Sequence, residues 1–497
     1  MKLSAAIANN LWLASSLPEW LRFKHSTSNV EATQRVLLDR YLRANAATAF
    51  GREHDFANIT CWEEYADRVP VRPYDELGSW ITRIAAGEQN VLTADPVRLF
   101  EPSGGSSGAE KWIPYTDSLQ AEFRRAVAAW IADLFLEMPR LMAGRAYWSL
   151  TPPTTRDRTD ESAIPIGFDE DSAYLGGVAE RLVNLALATP PGLHSVSDMD
   201  DFWRITASYL PECRDLRLIS VWHPSYLLLL LRHIRDSRSG SLGTGALWPK
   251  LGLISCWGDA RAEALLPELR AEFPGVKIQA KGLLATEGVV TFPFAGLRPL
   301  AIRSHFFEFQ DDDGEVCPAW AVAENKAYTI IMTTGGGLYR YALRDRVEVT
   351  GFVGGAPSLR FLGKADNVSD HCGEKLGEAF VTSCLGTVFA RFGLEPGFAM
   401  LALDPGDDAP GYALYVESAV SLPPELGLAL DEELRRSHHY DLCIRLGQLR
   451  PVCVAQIEGN AYDAFVTALM ADGVRLGDIK PVPLSRRTDW SDRFRLE

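Results

Sequence analysis

Ser103-Gly104-Gly105-Ser106-Ser107-Gly108, with Lys111 just beyond, is the stretch of this chain best suited to cradle an anion. Glycine and serine let the backbone approach a ligand closely and offer amide and hydroxyl donors. Lys111 adds a positive charge, so phosphate is the natural guest. A flexible linker has the same composition. This run, however, lies between an apolar strand candidate and Trp112-Ile113-Pro114-Tyr115, not between domains. It does not fit G-x-x-x-x-G-K-[ST], which disfavours a nucleoside-triphosphatase P-loop.

A second candidate is Gly282-Leu283-Leu284-Ala285-Thr286-Glu287-Gly288. Glu287 could hold Mg²⁺, which takes one or two carboxylates plus substrate phosphates, and Thr286 could donate to a phosphate oxygen. A helix N-terminus with an acidic first turn is the plain alternative. In the third, Thr333 to Tyr341, aromatic and charged residues flank Gly335-Gly336-Gly337, and Asp345 follows. An aspartate suits the two hydroxyls of a ribose, while a hairpin with alternating exposed residues explains the pattern equally well. The fourth is Lys480 in Gly477-Asp478-Ile479-Lys480-Pro481, which alone is an ordinary surface lysine.

The elements that must carry these residues follow from periodicity. Apolar spacing predicts helices over 31–46, over 117–138 with Asp117 or Ser118 as cap, and over 226–234 after Pro224. Pro70-Val71-Arg72-Pro73 marks an extended connector, and 90–99 reads as short strand-like segments. Strands are expected at 216–222, 251–257 and 276–280, alternating with helical runs. That alternation implies an α/β architecture with a largely parallel sheet. Further strands are expected from Tyr328 to Thr334 and on to Phe352. Past Gly363 the pattern changes to helix at 376–389, strand at 411–418 and helix at 461–471, a smaller α+β unit. The glycine-rich region 353–366 is the expected boundary, giving domains 1–363 and 364–497.

Composition limits the alternatives. At 497 residues, 47% hydrophobic and 23% charged, the chain can build several cores. A net charge of −15 argues against nucleic acid as a general partner. The eight cysteines form no C-x-x-C pair and match neither a zinc site nor a disulfide framework. No stretch approaches the roughly 20 apolar residues of a membrane span. The N-terminus superficially resembles a signal peptide, but Asn9 and Asn10 interrupt its apolar centre, so an amphipathic helix is expected. A monomeric cytoplasmic protein with reduced thiols is the expectation.

Taken in order, these blocks resemble the auxin-responsive promoter family of acyl acid–amido synthetases, a branch of the acyl-adenylate-forming superfamily. The resemblance also takes in Asn45 to Phe56, Arg68-Val69-Pro70-Val71 and Trp222-His223-Pro224-Ser225-Tyr226-Leu227-Leu228, and covers nearly the whole chain. It implies a large N-terminal adenylate-forming domain of mixed sheets flanked by helices, with a small mobile C-terminal α+β domain turning near Lys364 and Asp366. It also implies that ATP and Mg²⁺ are used to activate a carboxylic acid as its acyl-adenylate, followed by transfer to an amine. A thioester-forming ligase and a non-catalytic nucleotide-binding homologue are the alternatives.

By family position, Ser103 to Gly108 and Lys111 hold the β- and γ-phosphates, and Thr286 faces the α-phosphate beside Ala285. Glu287 is the Mg²⁺ ligand, Asp345 the ribose ligand with Tyr339 close by, and Lys480 the lysine delivered during adenylation. Trp222, His223, Tyr226 and Tyr115 are placed at the acyl acid, although a helix-cap role explains His223 before Pro224 more simply. The chain departs from the family pattern at Gly105, at Leu284-Ala285 and at Ala342 and Arg344. The last pair leaves the turn geometry of the third motif open.

Overall fold

The protein is described by a computed structural model. It describes every residue except 1–2, 104–110, 150–161, 168–183, 194–195, 197, 238–242, 261, 365–367, 370, 372–373, 375, 407–409, 446–447, 475, 477–478 and 497. Gly104 to Gly108, Asp366, Gly477 and Asp478 therefore lie outside the described residues. The chain divides into two compact units, Met1–Phe361 and Leu362–Glu497.

In the first unit the helix Leu3–Ser26 packs on the helix Asp117–Glu137. Trp12 meets Phe135 edge-on at 6.0 Å. Asn9, which interrupts the apolar N-terminus, is buried, and its amide donates to Met142 O at 3.1 Å and Gly144 O at 2.9 Å. The helix Val30–Asn45 is capped by Asn29. The long helix is capped by Thr116, one residue before the expected positions, because the Thr116 hydroxyl accepts from Leu119 N–H at 3.2 Å. Such a cap is worth about 1 kcal/mol.

Strands β1 (Leu99–Ser103) and β2 (Lys111–Tyr115) form an antiparallel hairpin. Residues 90–98, expected as strand-like, form no strand. Val91 and Leu92 are buried, but the Asn90 and Val91 carbonyls accept from Ala49 and Phe50 N–H at 2.8 and 3.0 Å. Tertiary capping of the helix Ala49–Glu53 has overridden the local strand preference.

The parallel expectation is met by β3 (Arg145–Trp148), β4 (Leu216–Ser220), β5 (Leu253–Cys256) and β6 (Lys277–Ala280), paired in that order. The helices Pro224–Ser237 and Ala262–Glu272 make the crossovers from β4 to β5 and from β5 to β6. A short hairpin of β7 (Leu284–Ala285) and β8 (Gly288–Val289) follows. The sheet after it is not parallel. In it β9 (Phe306–Gln310), β10 (Val316–Pro318), β11 (Ala327–Thr333), β12 (Tyr341–Val353) and β13 (Ala356–Lys364) run in the order β10-β9-β11-β12-β13, with antiparallel ladders joining β10 to β9, β9 to β11 and β11 to β12.

The second unit opens with a two-stranded ladder of β14 (Val368–Ser369) and β15 (Leu376–Gly377). Its mixed sheet comprises β16 (Phe398–Asp404), β17 (Gly411–Glu417), β18 (Arg450–Gln456) and β19 (Leu484–Ser485), ordered β18-β17-β16-β19. The helices Glu378–Phe392 and Leu426–Leu434 bury Val381, Leu385 and Leu430 with Leu401 and Leu414 of that sheet. Among the described residues no disulfide forms, and no helix is long and apolar enough to cross a membrane.

Candidate active site

Thr286 and Glu287 form the two-residue turn between β7 and β8, a hairpin and not the helix start that local sequence also allowed. Thr286 is half-buried and Glu287 is buried. Glu287 Oε1 accepts the phenol of Tyr341 at 3.0 Å, and Tyr341 Oη in turn receives Lys111 Nζ at 3.3 Å. One chain of contacts thus joins the lysine trailing the glycine–serine run, the turn carboxylate and the third motif. Burial, and then the charge of Glu287, push the Tyr341 phenol far above its ordinary pKa. It therefore remains a proton donor throughout the physiological range.

Tyr341 begins β12 and is held from both sides. Arg72 N–H donates to Arg340 O at 3.1 Å and Ala342 N–H to Arg72 O at 2.8 Å, so the proline-bounded connector pairs along Tyr341. Arg340, with a left-handed φ of 44°, turns its guanidinium to Glu308 at 3.0 Å and to the carbonyls of Ala66 and Val69. Glu308 lies deep in the core, and burial raises its pKa despite the arginine.

Gly335 to Tyr341 are all buried, which removes the alternative of an exposed hairpin. Gly337 has φ +93°, and a Cβ there would lie 2.8 Å from Leu92 Cβ. A Cβ on Gly335 would come within 2.5 Å of Glu122 Oε1. That contact identifies a hub absent from the sequence reading. Glu122 accepts Gly335 N–H at 3.1 and 2.9 Å and the Tyr41 phenol at 2.6 Å. His305 Nδ1 lies 2.9 Å from its other oxygen, and both side chains are fully buried. His305 Nε2 accepts Val289 N–H at 3.1 Å. In the neutral ring the proton then sits on Nδ1, close to the carboxylate but outside hydrogen-bond geometry. The Thr116 hydroxyl also donates to Gly335 O at 3.0 Å. A carboxylate three residues after Leu119, on the apolar face of an expected helix, was the available signal for Glu122.

Asp345 is buried within an irregularity of the β11–β12 ladder. The register jumps from Thr329↔Arg346 to Ile331↔Ala342, and Arg344 takes a left-handed φ of 61° within it. Arg344 thus adopts backbone that glycine enters without strain. The turn geometry left open by Ala342 and Arg344 is a bulge.

Other expected residues occupy less accessible places. Tyr339 is fully buried, stacks on Phe50 at 4.9 Å and donates to Leu92 O at 2.8 Å. Its ring and its hydroxyl are thus both engaged within the first unit. Tyr115 on β2 is buried against Phe123. Tyr226 is buried, with its phenol 2.5 Å from that of Tyr147. His223 Nδ1 accepts Ser225 N–H at 3.3 Å, the cap geometry that Pro224 suggested. Trp222 is half-buried and lies 5.8 Å from Trp257. Ser103 ends β1. Lys480 is exposed in the second unit, next to buried Ile479.

The chain matches models of the GH3 family N-terminal domain over residues 20–239, the GH3 family central domain over 299–364 and the GH3 family C-terminal domain over 393–489. It is 30% identical to the indole-3-acetic acid-amido synthetase GH3.6 of Arabidopsis thaliana, across 96% of this chain and 93% of that protein. It is 35% identical to GH3.5 of the same plant, with 68% of each covered. Among solved structures, the AtGH3.15 acyl acid amido synthetase in complex with 2,4-DB superposes with a TM-score of 0.79 at 18% identity, covering 96% of this chain and 97% of that one. A 2-hydroxyisobutyryl-CoA ligase in the postadenylation state reaches 0.54 at 12% identity, with 92% and 89% covered. The last two are likenesses of fold.

Proposed function

Since the chain belongs to the GH3 family, we propose that it activates a carboxylic acid with ATP as the acyl-adenylate and transfers the acyl group to an amine. The observation that carries the reading is the Lys111–Tyr341–Glu287 chain, which gathers a cation, a proton donor and a buried carboxylate from separate motifs. An amino acid is the acceptor proposed, in line with the amido synthetases it resembles.

The donor set suits a magnesium ion. Glu287 Oε1 is engaged by Tyr341, no lysine or arginine among the described residues pairs with Glu287, and no cluster of three or more His, Cys, Asp or Glu side chains competes. A single carboxylate with substrate phosphates is the usual magnesium arrangement. When bound, the ion would offset charge on the phosphate oxygens. Lys111 would bind the outer phosphates, Thr286 would orient the α-phosphate and Asp345 would accept the ribose hydroxyls. The substrate carboxylate attacks the α-phosphorus, and pyrophosphate leaves with the broken P–O bond. The amine then attacks the acyl carbon, loses a proton and releases AMP. Preorganised donors around the phosphorus lower this barrier because they need not reorient as charge builds. Lys480 would act in the first half-reaction, delivered by movement of the second unit.

The test is acid-dependent exchange of pyrophosphate into ATP over a panel that includes indole-3-acetate. Exchange with at least one acid is expected, and exchange with none overturns the reading. Mass spectrometry with pooled amino acids against coenzyme A then identifies the acceptor.

A further inference from the structure

Lys281 follows β6, at the carboxyl ends of the parallel strands, the side on which ligands bind in open α/β folds. The ladder continues past the strand ends there. Trp257 N–H donates to Trp222 O and Lys281 N–H to Cys256 O, both at 2.7 Å. This fixes the lysine backbone beside two half-buried tryptophans and just ahead of the Thr286–Glu287 hairpin.

The side chain is 8% exposed. Its ammonium donates to Val221 O at 2.9 Å and lies 4.8 Å from the centre of the Trp222 ring. Among the described residues its other N–H bonds meet no acceptor, and no carboxylate is placed to neutralise it. The titratable group facing it is the Cys256 thiol on β5, which burial pushes up to about 11. Buried cations in proteins are normally paired, so a site of this kind is complete only with an anion from outside.

We propose that Lys281 is the anchor for the carboxylate of the acyl acid, binding it through a charge-assisted hydrogen bond beside the Trp222 ring until adenylation removes that charge. This rests on the reading of the chain as an acid-activating ligase. Burial lowers the free lysine to about 7, and an anion beside it would raise that value. Acid binding therefore carries a proton onto the enzyme when the pH is above 7, and acid affinity falls as the pH rises further.

The experiment uses the full chain with indole-3-acetate, benzoate and hexanoate as probes in pyrophosphate exchange. At pH 7, Lys281→Gln and Lys281→Met should raise KM for an accepted acid by roughly tenfold to a hundredfold, with KM for ATP little changed. Glutamine keeps an N–H donor without the charge, so it separates the charge from the hydrogen bond to Val221 O. The wild-type KM for the acid should climb from pH 7 to 9, by up to about tenfold per unit, and the variants should be flat. Transfer from a supplied acyl-adenylate, which has no carboxylate, should be unaffected. An unchanged acid KM in Lys281→Gln, a flat wild-type profile or an equal loss in transfer overturns the assignment. So does a normal acid KM accompanied by a raised KM for the amino-acid acceptor. No exchange by the wild type with any probe or any acid of the wider panel overturns the ligase reading itself, and the anchor with it.

Discussion

Tyr341 Oη donates to Glu287 Oε1 at 3.0 Å, which leaves the second oxygen of the carboxylate outside that bond. A phenol that stays protonated holds the carboxylate in one rotamer without competing for its charge. Tyr341→Phe should keep the fold and lower exchange by roughly tenfold to a hundredfold, because a hydrogen bond to a charged group contributes about 1.5–3 kcal/mol. The magnesium concentration for half-maximal exchange should rise. An unchanged magnesium dependence would separate Tyr341 from the metal site.

Glu287→Ala should remove exchange, a loss of about a thousandfold or more if the carboxylate is the sole protein ligand of the ion. Circular dichroism should remain native, since the side chain ends a two-residue turn. Near-normal exchange would sink the magnesium assignment.

Glu122→Ala should destabilise the first unit by about 1–3 kcal/mol for each donor it strands, measured by urea unfolding, because it leaves Gly335 N–H and the neutral His305 imidazole in a dry interior. A loss under about 1 kcal/mol would mean that the contacts around Glu122 behave like exposed ones.

Arg344→Gly should raise stability by about 1 kcal/mol, the scale of the left-handed penalty for a residue with Cβ. The urea midpoint should move up at constant slope. A fall would show that the arginine side chain outweighs its backbone strain.

Lys480→Ala should slow adenylation far more than transfer from a supplied acyl-adenylate. Equal losses in both steps would contradict a role confined to the first.

The blocks proposed to carry chemistry were legible because each is local: glycine turns, a carboxylate between glycines, a proline-bounded connector. Periodicity also located the helix Asp117–Glu137 to within a residue. What escaped was set by distant partners. Val91 and Leu92 look like strand, but neighbouring carbonyls are recruited to cap Ala49 and Phe50. The packing of Tyr339 is likewise set from afar, by Phe50 at its ring and Leu92 O at its hydroxyl. Glu122 and His305 show no motif, because their meaning lies in a contact between a helix and a turn 213 positions away.

One carboxylate therefore sets the placement of two glycine turns, directly for Gly335 and through His305 for the residues after Glu287. Their spacing along the chain is free to vary, but their chemistry is not independently exchangeable. A chimera that imports the Ala285–Gly288 hairpin from a relative without its own partners for Glu122 and His305 inherits a turn with nothing behind it. Grafting experiments on this scaffold should treat these distant positions as a single inheritable unit.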